Sequence, residues 1–340
     1  MKKWLSIISM LTFILLLTAC SKDNESPAET DNTQSNNDTL SIYTTVYPLQ
    51  YFTERIGGEF VDVASIYPAG ANEHSFEPTQ KDMMALADSD LFFFIGLGLE
   101  GFVEKAKKTL ENEDVKLVAT ADGVTEEQLH ISTGHTHAEA TTEHDDHGHN
   151  HDHDEEAEGD KDHAHTDHDA HVWLSPIISQ QLALTIKEEL TKALPEHEAT
   201  FNENYEQLVA DLDTLHSEFE EMASATTKKT FFVSHAAFGY IAGHYGFNQV
   251  PVAGLNSQSE PSQKELTTIV DLANKEGIEY IFFEQNVSSN LTEVIQKEVN
   301  AKTLTLHNLS VLTKEDVQNN EDYFSLMRKN IEVLKQALSK

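Results

Sequence analysis

From Phe201 to Met222 the large apolar residues are Phe201, Tyr205, Leu208, Leu212, Leu215, Phe219 and Met222, spaced 4, 3, 4, 3, 4, 3. One stripe at that period demands a single uninterrupted helix with one face against a core. Read from about Pro195 to Ala225, such a helix spans about 45 Å at ~1.5 Å per residue, the width of two small lobes rather than one.

The flanking sequence supplies the lobes. Before the stripe, "LSIYTTVYPL", "VDVASIYPAG", "LFFFIG" and "VKLVAT" read as strands, separated by helix-like "LQYFTERIGGEF", "TQKDMMALADSD" and "FVEKAKKTLE". Thr79 with Asp82 three residues on forms a capping-box-like start. After the stripe, "KTFFVSH", "NQVPVAGL", "YIFFEQ" and "KTLTLHNL" read as strands, with helices between them, one closed by Gly277. This alternation implies parallel sheets covered by helices on both sides. The expected fold class is therefore α/β, with two (β/α) lobes joined by one long rigid helix. The expected domains are an N-terminal lobe over 40–194, the linking helix over 195–226, and a C-terminal lobe over 227–340.

Two segments fall outside this pattern. Residues 1–20, "MKKWLSIISMLTFILLLTAC", have basic Lys2 and Lys3, an apolar run and small residues before Cys20, the layout of a secretory signal. The run is short for a membrane span. Its end resembles a bacterial lipobox, which makes Cys20 the expected lipidation site. Residues 21–39 lack apolar periodicity and read as a disordered tether, with a reach of about 25 Å. The chain is then expected outside the cytoplasmic membrane, anchored to its outer face. Cys20 is the only cysteine, so disulfides within the chain and thiolate metal sites are excluded.

The second segment is a loop at about 125–169 with almost nothing apolar to bury. Twelve of the eighteen histidines lie between His130 and His171, and thirteen acids lie between Glu139 and Ala170 against one lysine. The formal net charge of the whole chain is −35. Such a surface repels nucleic acid and attracts cations. The loop is expected to be mobile and to hold several Zn²⁺ ions weakly through His135, His137, His144, His147, His149, His151, His153, His163, His165 and His168. Nearby carboxylates raise imidazole pKa values and make that binding pH-sensitive. A solvated insert with incidental metal affinity is the alternative.

Open parallel sheets take ligands beyond the carboxyl ends of their strands. Polar residues in that position are His74, His235 and Glu284, and the acidic loop returns to order at "DAHVWLSP", bringing His171. Individually each has an ordinary explanation: a surface loop for His74, a satisfied core histidine for His235, a partnered buried carboxylate for Glu284. Together, three imidazoles and a carboxylate from two lobes suit tetrahedral Zn²⁺. Raw affinity alone would not exclude Cu²⁺ or Ni²⁺.

The segments "PAGANEHSFEPT", "DAHVWLSP", "SHAAFGYIAGHYGFNQ" and "FFEQNVSSN" resemble the ligand segments of the zinc-uptake substrate-binding lipoproteins of bacterial ABC transporters, the metal-binding group called cluster A-I or cluster 9. The resemblance covers about 40–340 and the lipobox. It implies one tight Zn²⁺ site in the inter-lobe cleft, held by His74, His171, His235 and Glu284, and delivery of the ion to a membrane permease. Manganese members usually offer a carboxylate where this chain has His235. Some zinc members use water or another carboxylate as the fourth ligand, and the first segment departs from the family's Asp-Pro-His pattern with "NEH", which makes Glu73 a rival to Glu284. A monomer is expected, with no enzymatic activity. Other readings are a manganese-binding member, a surface adhesin, for which the sequence specifies no contact, and a zinc hydrolase. For the hydrolase, the tempting "HEATF" at His197–Phe201 lacks the second histidine of a zincin.

Overall fold

The computed structural model describes residues 39–133, 168–255, 261–285 and 289–339. The N-terminal series runs β1 (Leu40–Thr44), α1 (Tyr47–Gly57), β2 (Val61–Ser65), α2 (Gln80–Ala87), β3 (Leu91–Phe94), α3 (Val103–Thr109), β4 (Lys116–Ala119) and α4 (Glu126–Leu129). Two long helices follow, α5 (Pro176–Ala193) and α6 (Glu198–Ala225). The C-terminal series is β5 (Thr230–His235), α7 (Gly239–Tyr245), β6 (Asn248–Ala253), α8 (Gln263–Glu276), β7 (Tyr280–Phe283), α9 (Asn290–Glu298), β8 (Lys302–Thr305), α10 (Lys314–Gln318) and α11 (Tyr323–Leu338).

Both sheets are parallel throughout and share one plan. The first has order β2-β1-β3-β4 and the second β6-β5-β7-β8. In each, the strand order reverses beside the first strand, so β1/β3 and β5/β7 are topological switch points, where a crevice opens at the carboxyl edge. The two α/β lobes expected from the sequence are present. The α6 helix is 28 residues long, about 42 Å at ~1.5 Å per residue. Phe201, Leu208, Leu212, Leu215, Phe219 and Met222 are buried, while Tyr205 is half-buried beneath Lys187. The stripe packs on α1, α5 and α11, so one apolar core joins Phe52 of the first lobe to Phe282 of the second. The Thr79–Asp82 capping box forms as read, and Gly277 closes α8 in the left-handed conformation.

The unbroken loop expected over 125–169 is corrected at both ends. Thr125 and Gln128 form a reciprocal capping box that starts α4, and Leu129 is buried. Chain 131–133 then lies against α7. A Cβ on Gly243 would stand 1.8 Å from the Ile131 carbonyl oxygen, and one on Gly239 would stand 2.0 Å from Ser132 Oγ. The two glycines thus admit a close backbone approach that no other residue allows. On the far side, Asp169, Ala170 and His171 are buried. Among the described residues, no helix is long and apolar enough to cross a membrane.

Gly243→Ala separates two effects. Helix propensity alone favours alanine by about 1 kcal/mol. The contact with Ile131 opposes it, and we expect a net loss of stability, read as a lower thermal midpoint than wild type.

Candidate metal centre

The second switch point places two side chains without further design. His235 is the last residue of β5 and Glu284 follows β7, the adjacent strand. Glu284 Oε1 and Oε2 lie 3.0 and 3.2 Å from His235 Nδ1. His74 arrives from the turn beyond β2, where Asn72 Oδ1 accepts its backbone N–H at 3.0 Å. His171 precedes a short turn, Val172–Leu174, that is wholly buried. Trp173 in that turn donates its indole N–H to the Asn308 carbonyl at 2.7 Å, and its own carbonyl accepts from Tyr323 Oη at 2.8 Å. The "VWL" run therefore bolts His171 to the centre of the molecule.

The three imidazoles meet. Ring centroids are 5.3 Å apart for His74–His171, 5.2 Å for His74–His235 and 4.9 Å for His171–His235. One nitrogen from each lies within 4.8 Å of the others. The Nε2 atoms of His74 and His171 are buried and make no hydrogen bond. Buried polar atoms are rarely left so, because each forfeits its hydration. Here the unpartnered atoms belong to the converging rings, the arrangement of a cation site.

Supporting groups set the ring states. Asp169 accepts from His171 Nδ1 at 2.7 Å and from the His171 backbone N–H at 2.9 Å. That bond holds the proton on Nδ1 and turns the Nε2 lone pair toward the cluster, the usual role of a carboxylate behind a metal-binding histidine. Ser132 Oγ donates to the other Asp169 oxygen at 2.5 Å, and Tyr240 Oη donates to the Asp169 carbonyl at 2.7 Å. Burial raises the Asp169 pKa, but the His171 imidazole, the Ser132 hydroxyl and the His171 backbone N–H overcome it and hold the carboxyl below its ordinary value. Burial, with the electrostatic influence of the neighbouring His171 and His235 rings adding to it, depresses His74 to about 2, so its ring is neutral at pH 7. His235 differs. Burial lowers its pKa, yet Glu284, the Leu255 carbonyl at 2.9 Å and Glu73 outweigh burial and lift it to about 9.

Glu284 is buried but lies outside the trio of converging nitrogens; it sits on His235 and accepts from Asn308 Nδ2 at 2.6 Å. Glu73, the rival carboxylate, is buried with Oε1 3.9 Å from His74 Nε2 and accepts from the same Asn308 amide at 3.2 Å. Burial pushes the Glu73 pKa up. Sequence reasoning missed Asp169 and Asn308. Asn308 follows β8, the strand-end position that flagged His235 and Glu284, so the same rule could have found it. His197, the tempting residue of "HEATF", stacks on Phe60 with centroids 3.7 Å apart and simply opens α6. Of the insert residues, His168 is described and its side chain is only 10% exposed. His135, His137, His144, His147, His149, His151, His153, His163, His165 and Cys20 lie outside the described residues.

Over residues 42–337 the chain matches the family described as zinc-uptake complex component A, periplasmic. The chain belongs to this family. Its members are transport components that bind metal, not enzymes, which removes the hydrolase reading. The zinc-binding protein AdcA of Streptococcus pyogenes is 35% identical over 298 residues, 87% of this chain and 55% of the relative. The chain thus spans about half the length of the first curated relatives it matches. The high-affinity zinc uptake system protein ZnuA of Bacillus subtilis is 31% identical over 337 residues, 99% of this chain and 98% of the relative. Among solved structures, the Zn(II)-bound ZnuA-like domain of Streptococcus pneumoniae AdcA superposes with a TM-score of 0.69 at 30% identity, covering 89% of this chain and all of the other.

The protonation pattern has a measurable consequence. With a folded pKa of about 9 above an ordinary 6.5, His235 keeps its proton between those values. The stability this pairing gives the metal-free protein is full below pH 6.5 and is lost as pH rises through about 9. A cation that takes a His235 nitrogen must displace the proton. Calorimetric titration with Zn²⁺ at pH 7.5, in buffers of different ionisation enthalpy, should show about one proton released from His235, falling away above pH 9.

Proposed function

We propose that the protein captures one Zn²⁺ ion outside the cytoplasmic membrane and delivers it to the membrane permease of an ABC importer. The observation that carries this reading is the convergence of His74, His171 and His235, two of them with buried, unpartnered Nε2 atoms. A nitrogen-rich set of low coordination number favours zinc over manganese, which prefers carboxylate, carbonyl and water. Three imidazoles leave one position of a tetrahedron. Glu284 is the proposed fourth ligand, moving from its contacts with His235 and Asn308 as the His235 proton leaves. Glu73 is the nearer rival to His74.

The loaded ion is cargo. Asp169 fixes the His171 ring, Asn308 holds both carboxylates, and the buried "VWL" turn fixes the height of His171 above the core. Capture needs little motion under this reading, because α6 shares one core with both lobes. Lipidation at Cys20 would keep the protein beside its permease as a monomer. The insert histidines, at and beyond the edge of the described residues, would collect zinc weakly and supply the centre.

After dialysis against a weak chelator, the wild-type chain should retain one zinc ion and His235→Ala none. Zinc retained unchanged by that variant would reject the centre. Asp169→Asn should keep the site but weaken it by ~10–100-fold in a chelator competition, the usual cost of removing a carboxylate behind a ligating histidine.

A further inference from the structure

We propose that Asn308 determines which metal the centre accepts, by holding Glu73 off the ion and so limiting the shell to one carboxylate. This deepens the function proposed above and rests on it, since it takes as given an ion held by His74, His171 and His235.

The Asn308 side chain is fixed from behind. It follows β8 and is buried. Its Oδ1 accepts from the Ser310 backbone N–H at 3.0 Å, from Ser310 Oγ at 2.9 Å and from Gln285 Nε2 at 2.5 Å. Leu309, between Asn308 and Ser310, sits at φ 58°, a left-handed conformation uncommon for leucine. The turn it makes brings the Ser310 N–H back onto the asparagine oxygen. A backbone N–H can only donate, so the amide cannot be flipped: its oxygen faces Ser310 and its nitrogen faces the centre. The Asn308 N–H donates to Gln285 Oε1 at 3.0 Å, and the Asn308 carbonyl accepts from Trp173. Asn308 is thus tied to the segments that carry Glu284 and His171.

The amide nitrogen meets two carboxylates, and meets them unequally. Nδ2 lies 2.6 Å from Glu284 Oε2 and 3.2 Å from Glu73 Oε1. On Glu284 this leaves Oε1, which lies 3.0 Å from His235 Nδ1. On Glu73 the oxygen taken is the one 3.9 Å from His74 Nε2. The amide therefore occupies the oxygen by which Glu73 approaches the histidines, and leaves Glu284 an oxygen free of it. A lysine or arginine could also bind both carboxylates, but its charge would repel an incoming cation. A neutral amide restrains them without that repulsion.

The number of carboxylates bears on selectivity. Three imidazoles and one carboxylate complete the tetrahedral shell that suits Zn²⁺. A second carboxylate raises the share of oxygen and the coordination number, which suits Mn²⁺ better. Asn308 is a positioning residue: it does not touch the ion and sets which side chains do.

The test compares Zn²⁺ and Mn²⁺ affinities of the full chain by competition with a chelator. Asn308→Ala removes the donor, and Asn308→Leu removes it while keeping the volume. Each should narrow the Zn²⁺/Mn²⁺ affinity ratio by ~10–100-fold, the usual scale for a group that supports a metal ligand. With Co²⁺ as the probe, the intense visible absorption of a tetrahedral ion should weaken in either variant as a fifth ligand joins. Adding Glu73→Gln to either variant should restore both the ratio and the absorption, a rescue that a merely structural role for Asn308 would not give. An unchanged ratio, or a changed ratio that Glu73→Gln does not restore, overturns the proposal. So does a crystal of the zinc-loaded wild-type protein with a Glu73 oxygen on the ion, a result that does not depend on how the variants fold; the expected crystal keeps Glu73 on Asn308. A wild-type chain that holds no zinc would reject the function proposed above, whereas bound zinc with an unaltered ratio in the variants rejects this inference alone.

Discussion

Burying the lone pairs of imidazole nitrogens without partners is unfavourable, and this structure does it at two rings within one small space. Each such atom costs on the order of 1–3 kcal/mol when its hydrogen bonds to water go unreplaced. Among the described residues, no protein group bonds to either atom. In the function proposed above, a cation bonding to several nitrogens at once recovers that cost, and the rest of the architecture can be understood as the means of holding those nitrogens in place. The switch point of the second sheet sets His235 beside Glu284. The buried Val172–Leu174 turn sets His171. The turn after β2 sets His74 against both.

The centre is also graded in charge. His74 is depressed to about 2 and is ready to bind, whereas His235 is lifted to about 9 by the carboxylates around it. Glu284 and Glu73 thus favour a proton on His235 in the metal-free state. In the proposed loaded state zinc takes the place of that proton, so positive charge stays beside the buried carboxylates. Such an exchange avoids the large penalty of leaving buried charge unpaired. It also makes binding sensitive to pH in a way that a set of neutral histidines would not be.

Much of this was legible in the sequence because it is written as periodicity. The 4-3 stripe specified α6, and alternating apolar runs specified two parallel sheets. Strand-end position then picked out His235 and Glu284, and the abrupt "HVWL" picked out His171. What was not legible depends on contacts across the chain. The ordered ends of the insert rest on Gly239 and Gly243, whose meaning appears only when chain 131–133 lies on α7. Asp169 looked like one more acid in an acidic run; its burial against His171 sets it apart. Asn308 gained its role by standing between two carboxylates that lie 211 residues apart in sequence, Glu73 and Glu284.

The most direct test of the central claim is the position of zinc itself, found by anomalous diffraction at the zinc edge from crystals of the loaded protein. The account predicts one strong peak in the cleft, about 2.0–2.1 Å from a nitrogen of each of His74, His171 and His235, with a carboxylate oxygen at about 2.0–2.2 Å. A cleft without a peak, or a peak that any one of the three rings fails to touch, would contradict it.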